Sequence, residues 1–173
     1  MPSAVPRGDT YFRRAERVSF EMDDPTTTDV RELTTDAEFE AAYPLLRELR
    51  DHLDRAEMEA THERMREEGY RLFGRYDGGE LVAVAGVTVD TNFYLGKHAF
   101  VHDLVTTASR RSEGHGSALL SFLHGWAGDR DCETVELESG LWRDEAHRFY
   151  EEVGYEKYCY SFKYDLDATD RSD

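Results

Sequence analysis

Lysine is almost missing from this chain. Lys97, Lys157 and Lys163 are all there is in 173 residues, and arginine makes up the rest of the 21 basic side chains. Against them stand 37 Asp and Glu, for a formal net charge of −16. Such a chain has no basic stripe with which to neutralise phosphates, which excludes nucleic acid as an expected partner. Cysteine is equally scarce. Cys132 and Cys159 are too few and too far apart for a disulfide framework, and no histidine pair joins them at zinc-ligand spacing, so no metal is expected. The longest apolar run, Leu81 to Val87, falls far short of the ~20 residues of a membrane-spanning helix. The first residues lack the basic, apolar, small order of a secretory signal, and the reading is a soluble cytoplasmic protein with no membrane partner. Of the four prolines, Pro2, Pro6 and Pro25 fall early; with Thr26-Thr27-Thr28 they mark residues 1–28 as an irregular arm, in which Arg17–Met22 has strand character.

What is present is a globular composition, 39% apolar and 12% aromatic, at a length suited to one domain with a real core. The acidic residues are scattered along the whole chain rather than clustered. Self-repulsion on this scale opposes compactness and is screened by salt. The pattern resembles proteins that work in a salt-rich cytoplasm. Recruitment of a cationic partner, such as a polyamine or a basic peptide, is the competing account, and the scatter argues against it.

The domain proper begins near Asp29. Val30–Leu33 reads as a strand, and Thr35 with Glu38 stands at capping-box spacing before Phe39, Tyr43, Leu46, Leu49 and Leu53, which recur on one helical face. Pro44 predicts a kink or a late start in that helix. Asp54 and Glu57 repeat the capping pattern and open a second, more polar helix ending before Gly69. The period then changes. Tyr70–Tyr76 and Leu81–Val89 read as strands joined by the turn Asp77-Gly78-Gly79-Glu80, and His98–Thr107 as a third. A helix over Gly116–Ala127, a strand over Thr134–Glu138, a helix over Asp144–Val153 and a closing strand over Tyr158–Leu166 complete the order. The expectation is an α/β domain at residues 29–166, with a mixed, mostly antiparallel central sheet flanked by about four helices. Residues 167–173 form an acidic tail.

Chemistry concentrates where the third strand runs into the next helix. There Arg110 and Arg111 precede Ser112-Glu113-Gly114-His115-Gly116-Ser117. Glycines at a strand-to-helix turn let backbone N–H groups converge on an anion, and the first helical turn adds unpaired donors and its positive dipole end. The arginines can add charge-assisted bonds to phosphate. A dinucleotide fingerprint would need glycine at position 119, which is leucine, and a Walker loop would need Gly-Lys-Ser/Thr, which is absent.

The segment Arg111-x-x-Gly114-x-Gly116 after a strand resembles the acetyl-CoA loop of the GNAT N-acetyltransferase superfamily. Downstream, Asp144-Glu-Ala-His-Arg-Phe-Tyr-Glu-Glu-Val-Gly-Tyr155 is similar to that family's second signature. Glu138-Ser-Gly-Leu-Trp-Arg-Asp-Glu-Ala-His-Arg-Phe-Tyr150 is closer still to a subgroup with Ser-Gly-x-x-Arg-x-x-Ala-His-Arg-Phe-Tyr. The resemblance spans residues 29–166.

It implies direct acetyl transfer from acetyl-CoA to a primary amine of a small molecule or peptide. Leu104, Val105 and Thr106 would pair with the pantetheine arm, and the backbone from Arg110 and Arg111 through Ser112, Glu113, Gly114, His115, Gly116 and Ser117 would hold the pyrophosphate. Tyr150 would protonate the departing thiolate, as a neutral phenol can. For the general base, Asp103 ranks first, ahead of His102, Glu138 and Ser139; His102 and Asp103, being adjacent on a strand, are expected to face opposite sides of the sheet. The resemblance also makes a homodimer an expectation. Glu113 departs from the family's usual basic or small residue and sets an acid beside the phosphate site. A CoA-binding module without catalysis and a protein lysine or N-terminal acetyltransferase are the rival functions.

Overall fold

The computed structural model describes residues 28–166. Most of the N-terminal arm, with the strand expected over Arg17–Met22, and the acidic tail lie outside the described residues. The chain order is β1 (Thr28–Glu32), α1 (Asp36–Leu49), α2 (Arg55–Glu67), β2 (Arg71–Asp77), β3 (Glu80–Asn92) and β4 (Gly96–Thr106). A single 3-10 turn (Ala108–Arg110) then leads to α3 (His115–Gly128), β5 (Thr134–Leu137) and α4 (Asp144–Glu152).

Both capping boxes form. The Thr35 hydroxyl accepts the Glu38 N–H at 3.3 Å while the Glu38 carboxylate accepts the Thr35 N–H at 3.0 Å. Asp54 and Glu57 exchange the same pair of bonds, both at 2.9 Å. Each box satisfies two donors that a bare helix start would leave orphaned. The late start considered at Pro44 is not taken: α1 begins at Asp36 and continues through the proline. Pro44 and Glu40, whose carbonyl loses its helical donor, are both exposed residues.

The five strands lie in the order β1-β2-β3-β4-β5. Neighbours are antiparallel except β4 and β5, which are parallel. Successive residues of a strand point to opposite faces, and both faces here are covered. Leu72, Val84 and Val105 face Phe39, Leu46 and Met58 of α1 and α2. Phe73, Ala85, Val87 and Val101 face Leu119, Leu120 and Leu123 of α3. Burial on both sides is why the middle of β3 reads as an unbroken apolar run rather than an alternating one. Leu119 and Leu120 are wholly buried, a contribution of about 1.5–3 kcal/mol each.

The closing strand expected over Tyr158–Leu166 does not form: residues 156–165 belong to no helix or strand. Tyr158, Tyr160, Phe162 and Tyr164 alternate along it and are 61%, 80%, 93% and 73% exposed. A period of two shows that a segment can present an apolar row; a strand also needs a neighbour for its N–H and C=O groups. The edge strand β5 offers four residues, and Tyr158 stacks instead on Tyr94 with ring centroids 5.6 Å apart.

Candidate active site

The site starts from an irregularity in β4. Its pairing with β3 runs regularly from Ala83↔Thr106 to Gly86↔Asp103, then resumes at Val87↔Val101, leaving His102 as an extra residue. A bulge of this kind re-aims side chains and is common beside active sites. It overturns the expectation that His102 and Asp103 face opposite sides. Both line one cavity of about 390 Å³, together with Arg50, Tyr70, Phe100 and Glu138.

Asp103 is fully engaged there. Its Oδ1 accepts from Arg50 Nε at 3.0 Å, and its Oδ2 accepts from the Tyr70 hydroxyl at 2.8 Å. Burial, and then the Asp103 charge, hold the Tyr70 hydroxyl well above its ordinary value, so it remains a donor. Arg50 also donates to the His102 carbonyl at 2.9 Å, which braces the bulge. Arg50 ends α1 and Tyr70 precedes β2, so the carboxylate ties two separate elements to β4. Gly86 makes room for this: a Cβ there would stand 1.7 Å from the Tyr70 hydroxyl. These bonds fix the orientation of the Asp103 carboxylate at the cavity wall.

His102 is freer. Its Nε2 lies 2.9 Å from the Thr88 hydroxyl, and that hydroxyl lies 3.3 Å from an Asp90 carboxylate oxygen. The ring packs beside Phe100 and Tyr70, with centroids 4.7 and 5.9 Å away. Burial lowers its pKa from the ordinary 6.5, which leaves a neutral imidazole at pH 7. Thr88 and Asp90 are neighbours that sequence reasoning did not find, nor did it find Arg50 or Tyr70. Gly86, a lone glycine inside a strand pattern, is the one readable sign of a close approach here.

Beyond Val101 the sheet opens. β5 pairs with β4 over His98–Val101 and ends at Leu137, while β4 continues to Thr106. Leu104, Val105 and Thr106 therefore have no β5 neighbour. Their strand leads into the turn, where Ser112 and Gly114 take positive φ of 65° and 85°. The first helical bond of α3 runs from Ala118 N–H to the Gly114 carbonyl. The amides of His115, Gly116 and Ser117 thus precede the ladder, as donors at the positive end of the helix. A Cβ at Gly116 would sit 3.4 Å from Phe149 and 3.5 Å from Thr106 Oγ1, so this turn packs closely on both α4 and β4.

The charged side chains of the loop do other work. Arg110 gathers Asp77, Glu80 and Glu113 around its guanidinium, with Glu113 at 2.7 Å and Glu80 at 3.1 Å. Glu113 also lies 3.2 Å from Nε2 of the buried His115, whose Nδ1 accepts from Arg75 at 3.1 Å. Asp77, Glu113 and His115 converge as metal ligands can, but the cation among them is Arg110. The unusual acid at position 113 is neutralised within this knot, and Arg110 is drawn into it rather than left for phosphate. Arg111 bonds Glu48 at 2.8 Å and the Thr106 carbonyl at 3.2 Å, fastening the loop to α1.

Tyr150 stands on α4, among Phe149 and Tyr155 at ring distances of 5.3 and 5.9 Å. Burial raises its hydroxyl above the ordinary 10, so it is a protonated phenol at neutral pH. It packs with the α3 face of the sheet, whereas Asp103 and His102 line the cavity on the α1 and α2 face. The open stretch of β4 lies between them.

Residues 29–155 match the acetyltransferase (GNAT) family model. The chain belongs to that family. It is 35% identical over 136 residues to the uncharacterized N-acetyltransferase YhdJ of Bacillus subtilis (strain 168), covering 78% of this chain and 96% of that one. The same fold occurs in glucosamine-6-phosphate N-acetyltransferase from Arabidopsis thaliana, with a TM-score of 0.65, 20% identity and coverage of 82% and 99%. It occurs too in the aminoglycoside N-acetyltransferase AAC(6')-Iy in complex with CoA, with a TM-score of 0.69, 15% identity and coverage of 84% and 98%. The chain is thus a GNAT-family N-acetyltransferase, an acyltransferase enzyme. The residues present fit a CoA thioester: an open strand edge for an amide-bearing arm, and unladdered amides at a glycine turn for a pyrophosphate. Among the described residues, no helix is long and apolar enough to cross a membrane.

Proposed function

We propose that this enzyme moves an acetyl group from acetyl-CoA to a primary amine by direct transfer, with both substrates bound at once. The observation that carries the reading is the opening of the sheet beyond Val101, which leads straight into the glycine turn and the free amides of α3. Acetyl-CoA supplies the activated acetyl carbonyl. The backbone of Leu104, Val105 and Thr106 aligns it, with Arg111, Ser112, Gly114, Gly116 and Ser117 around the pyrophosphate. The side chains of Arg110, Glu113 and His115 set the shape of that turn from behind.

His102 takes the proton from the amine nitrogen, because its imidazole is neutral and lines the acceptor cavity. The Thr88 hydroxyl donates to Asp90 and orients the ring by accepting from Nε2, which leaves Nδ1 as the acceptor. The C–N bond forms as the C–S bond breaks, and the departing sulfur takes the Tyr150 proton. Backbone N–H groups of the open β4 stretch hold the developing oxyanion. Asp103 acts through Tyr70 and Arg50, fixing the bulge that aims His102. The reading includes a catalytic domain over residues 29–166, a salt-rich cytoplasm as the setting, and a homodimer.

The test is to incubate the protein with acetyl-CoA and a panel of amines, measuring free CoA thiol and acetylated product by mass. Equal amounts of the two, with the rate reduced ~100-fold or more in Tyr150→Phe, are expected. Thiol release without acetylated amine would overturn the reading.

A further inference from the structure

The cavity beside His102 has a composition that selects among amines, and resting on the acetyl-transfer reading it can be taken further. Its walls are mostly apolar, with Leu46, Leu53, Met58, Met65 and Phe100 set beside Thr61 and His62. Its charges nearly cancel. Arg50 and Asp103 are bonded to each other at 2.9 Å, and burial lowers the pKa of both His62 and His102, keeping them neutral. Glu138, just past the end of β5 and exposed, is the remaining charged side chain of the lining.

We propose that the acceptor is a primary monoamine with an apolar alkyl or arylalkyl body, and that polyamines and amino sugars are poor acceptors. One carboxylate at the edge of the cavity matches one ammonium, which loses one proton to solvent to become the free amine and gives its second proton to His102 as it attacks. The rest of the molecule lies against leucine, methionine and phenylalanine. A second ammonium, or a ring of hydroxyls, would be stripped of water against walls whose polar groups beyond the His102 end are few, the Thr61 hydroxyl and the unpartnered His62 Nε2. Two methionines give the walls the adaptability to accept both linear and aromatic bodies. At about 390 Å³ the cavity lies at the small end of the range for ligand sites, which suits a compact molecule.

The experiment is a series of kcat/KM measurements with acetyl-CoA and ethylamine, butylamine, hexylamine and phenethylamine, beside spermidine and kanamycin. Direct binding of the same amines without acetyl-CoA is measured by calorimetry. A rise of about three- to four-fold per methylene is expected, the value of burying a CH₂ group. Spermidine and kanamycin should fall below hexylamine by ~100-fold or more, the discrimination an unpaired buried polar group confers. Phe100→Ser should flatten the methylene series while leaving acetyl-CoA binding unchanged, and Glu138→Gln should raise KM for every amine with the slope kept. Preference for spermidine or kanamycin, or a flat series in the wild-type protein, would overturn the proposal while leaving acetyl transfer intact. Graded binding of the alkylamines with no turnover of any amine would leave the cavity assignment standing and overturn the acetyl-transfer reading.

Discussion

Two segments of this chain carry the same alternating pattern and meet different fates. In β4, Ala99, Val101, Asp103 and Val105 are buried between β3 and the covering helices, and strand pairing runs the full length of the segment. Along residues 158–164, four aromatic rings alternate just as regularly and stay exposed, without strand pairing. Alternation describes side chains. Strands are decided by what the backbone can bond, and by which layer waits to cover the row. β4 has a long antiparallel neighbour on one side, and it keeps its shape where β5 leaves it because Arg50, Tyr70 and Arg111 bond its polar groups from outside the sheet. The C-terminal segment meets a four-residue edge strand and a single stacking partner.

The sharpest way to press this contrast is through the bulge that makes β4 chemically useful. His102→Gln should lower kcat/KM by about 10²–10⁴-fold at neutral pH, the range for loss of a general base. In the wild-type enzyme, activity should fall as acid protonates the imidazole. Because burial lowers that pKa, the midpoint should lie below the ordinary histidine value of 6.5. A pH–rate profile of both proteins checks this, and an unchanged acid limb in the variant would contradict it. Gly86→Ala comes next. Its Cβ overlaps the Tyr70 hydroxyl, and the resulting overpacking should destabilise the protein by about 1–3 kcal/mol in denaturant titration and loosen the hold on Asp103.

The two segments can then be compared directly. Val101 is 3% exposed, so Val101→Ala should cost about 2 kcal/mol from lost burial and the cavity left behind. Phe162 is 93% exposed, so Phe162→Ser should stay within about 0.5 kcal/mol. Equal costs would break the comparison, and would mean that another surface covers the C-terminal row in solution.

Much of the fold was legible because local chemistry and global packing agree. Thr35 with Glu38 and Asp54 with Glu57 announce helix starts that form as capping boxes, and the glycine-rich turn at 77–80 announces the β2–β3 hairpin. The glycine turn before α3 was legible for the same reason, since φ of 85° at Gly114 is a conformation most residues avoid. What escaped was long-range. Arg50 lies 53 residues from Asp103, and Glu48 lies 63 from Arg111, so no spacing rule connects them. The bulge escaped too. A single extra residue in a register leaves the apolar pattern of β4 almost unchanged, yet it turns His102 from the far face into the cavity. Pro44 suggested a late start as one outcome, and the helix instead runs through it from Asp36, with the proline on an exposed position.

The most direct test of the account is calorimetric titration of acetyl-CoA into the wild-type protein and into Gly116→Trp, in molar potassium chloride, with far-UV spectra to show that both are folded. The account predicts saturable binding to the wild type and its loss in the variant, whose indole fills the space between α3, Thr106 and Phe149. A folded wild-type protein that does not bind acetyl-CoA, or a variant that binds it unchanged, would contradict the cradle on which the rest is built.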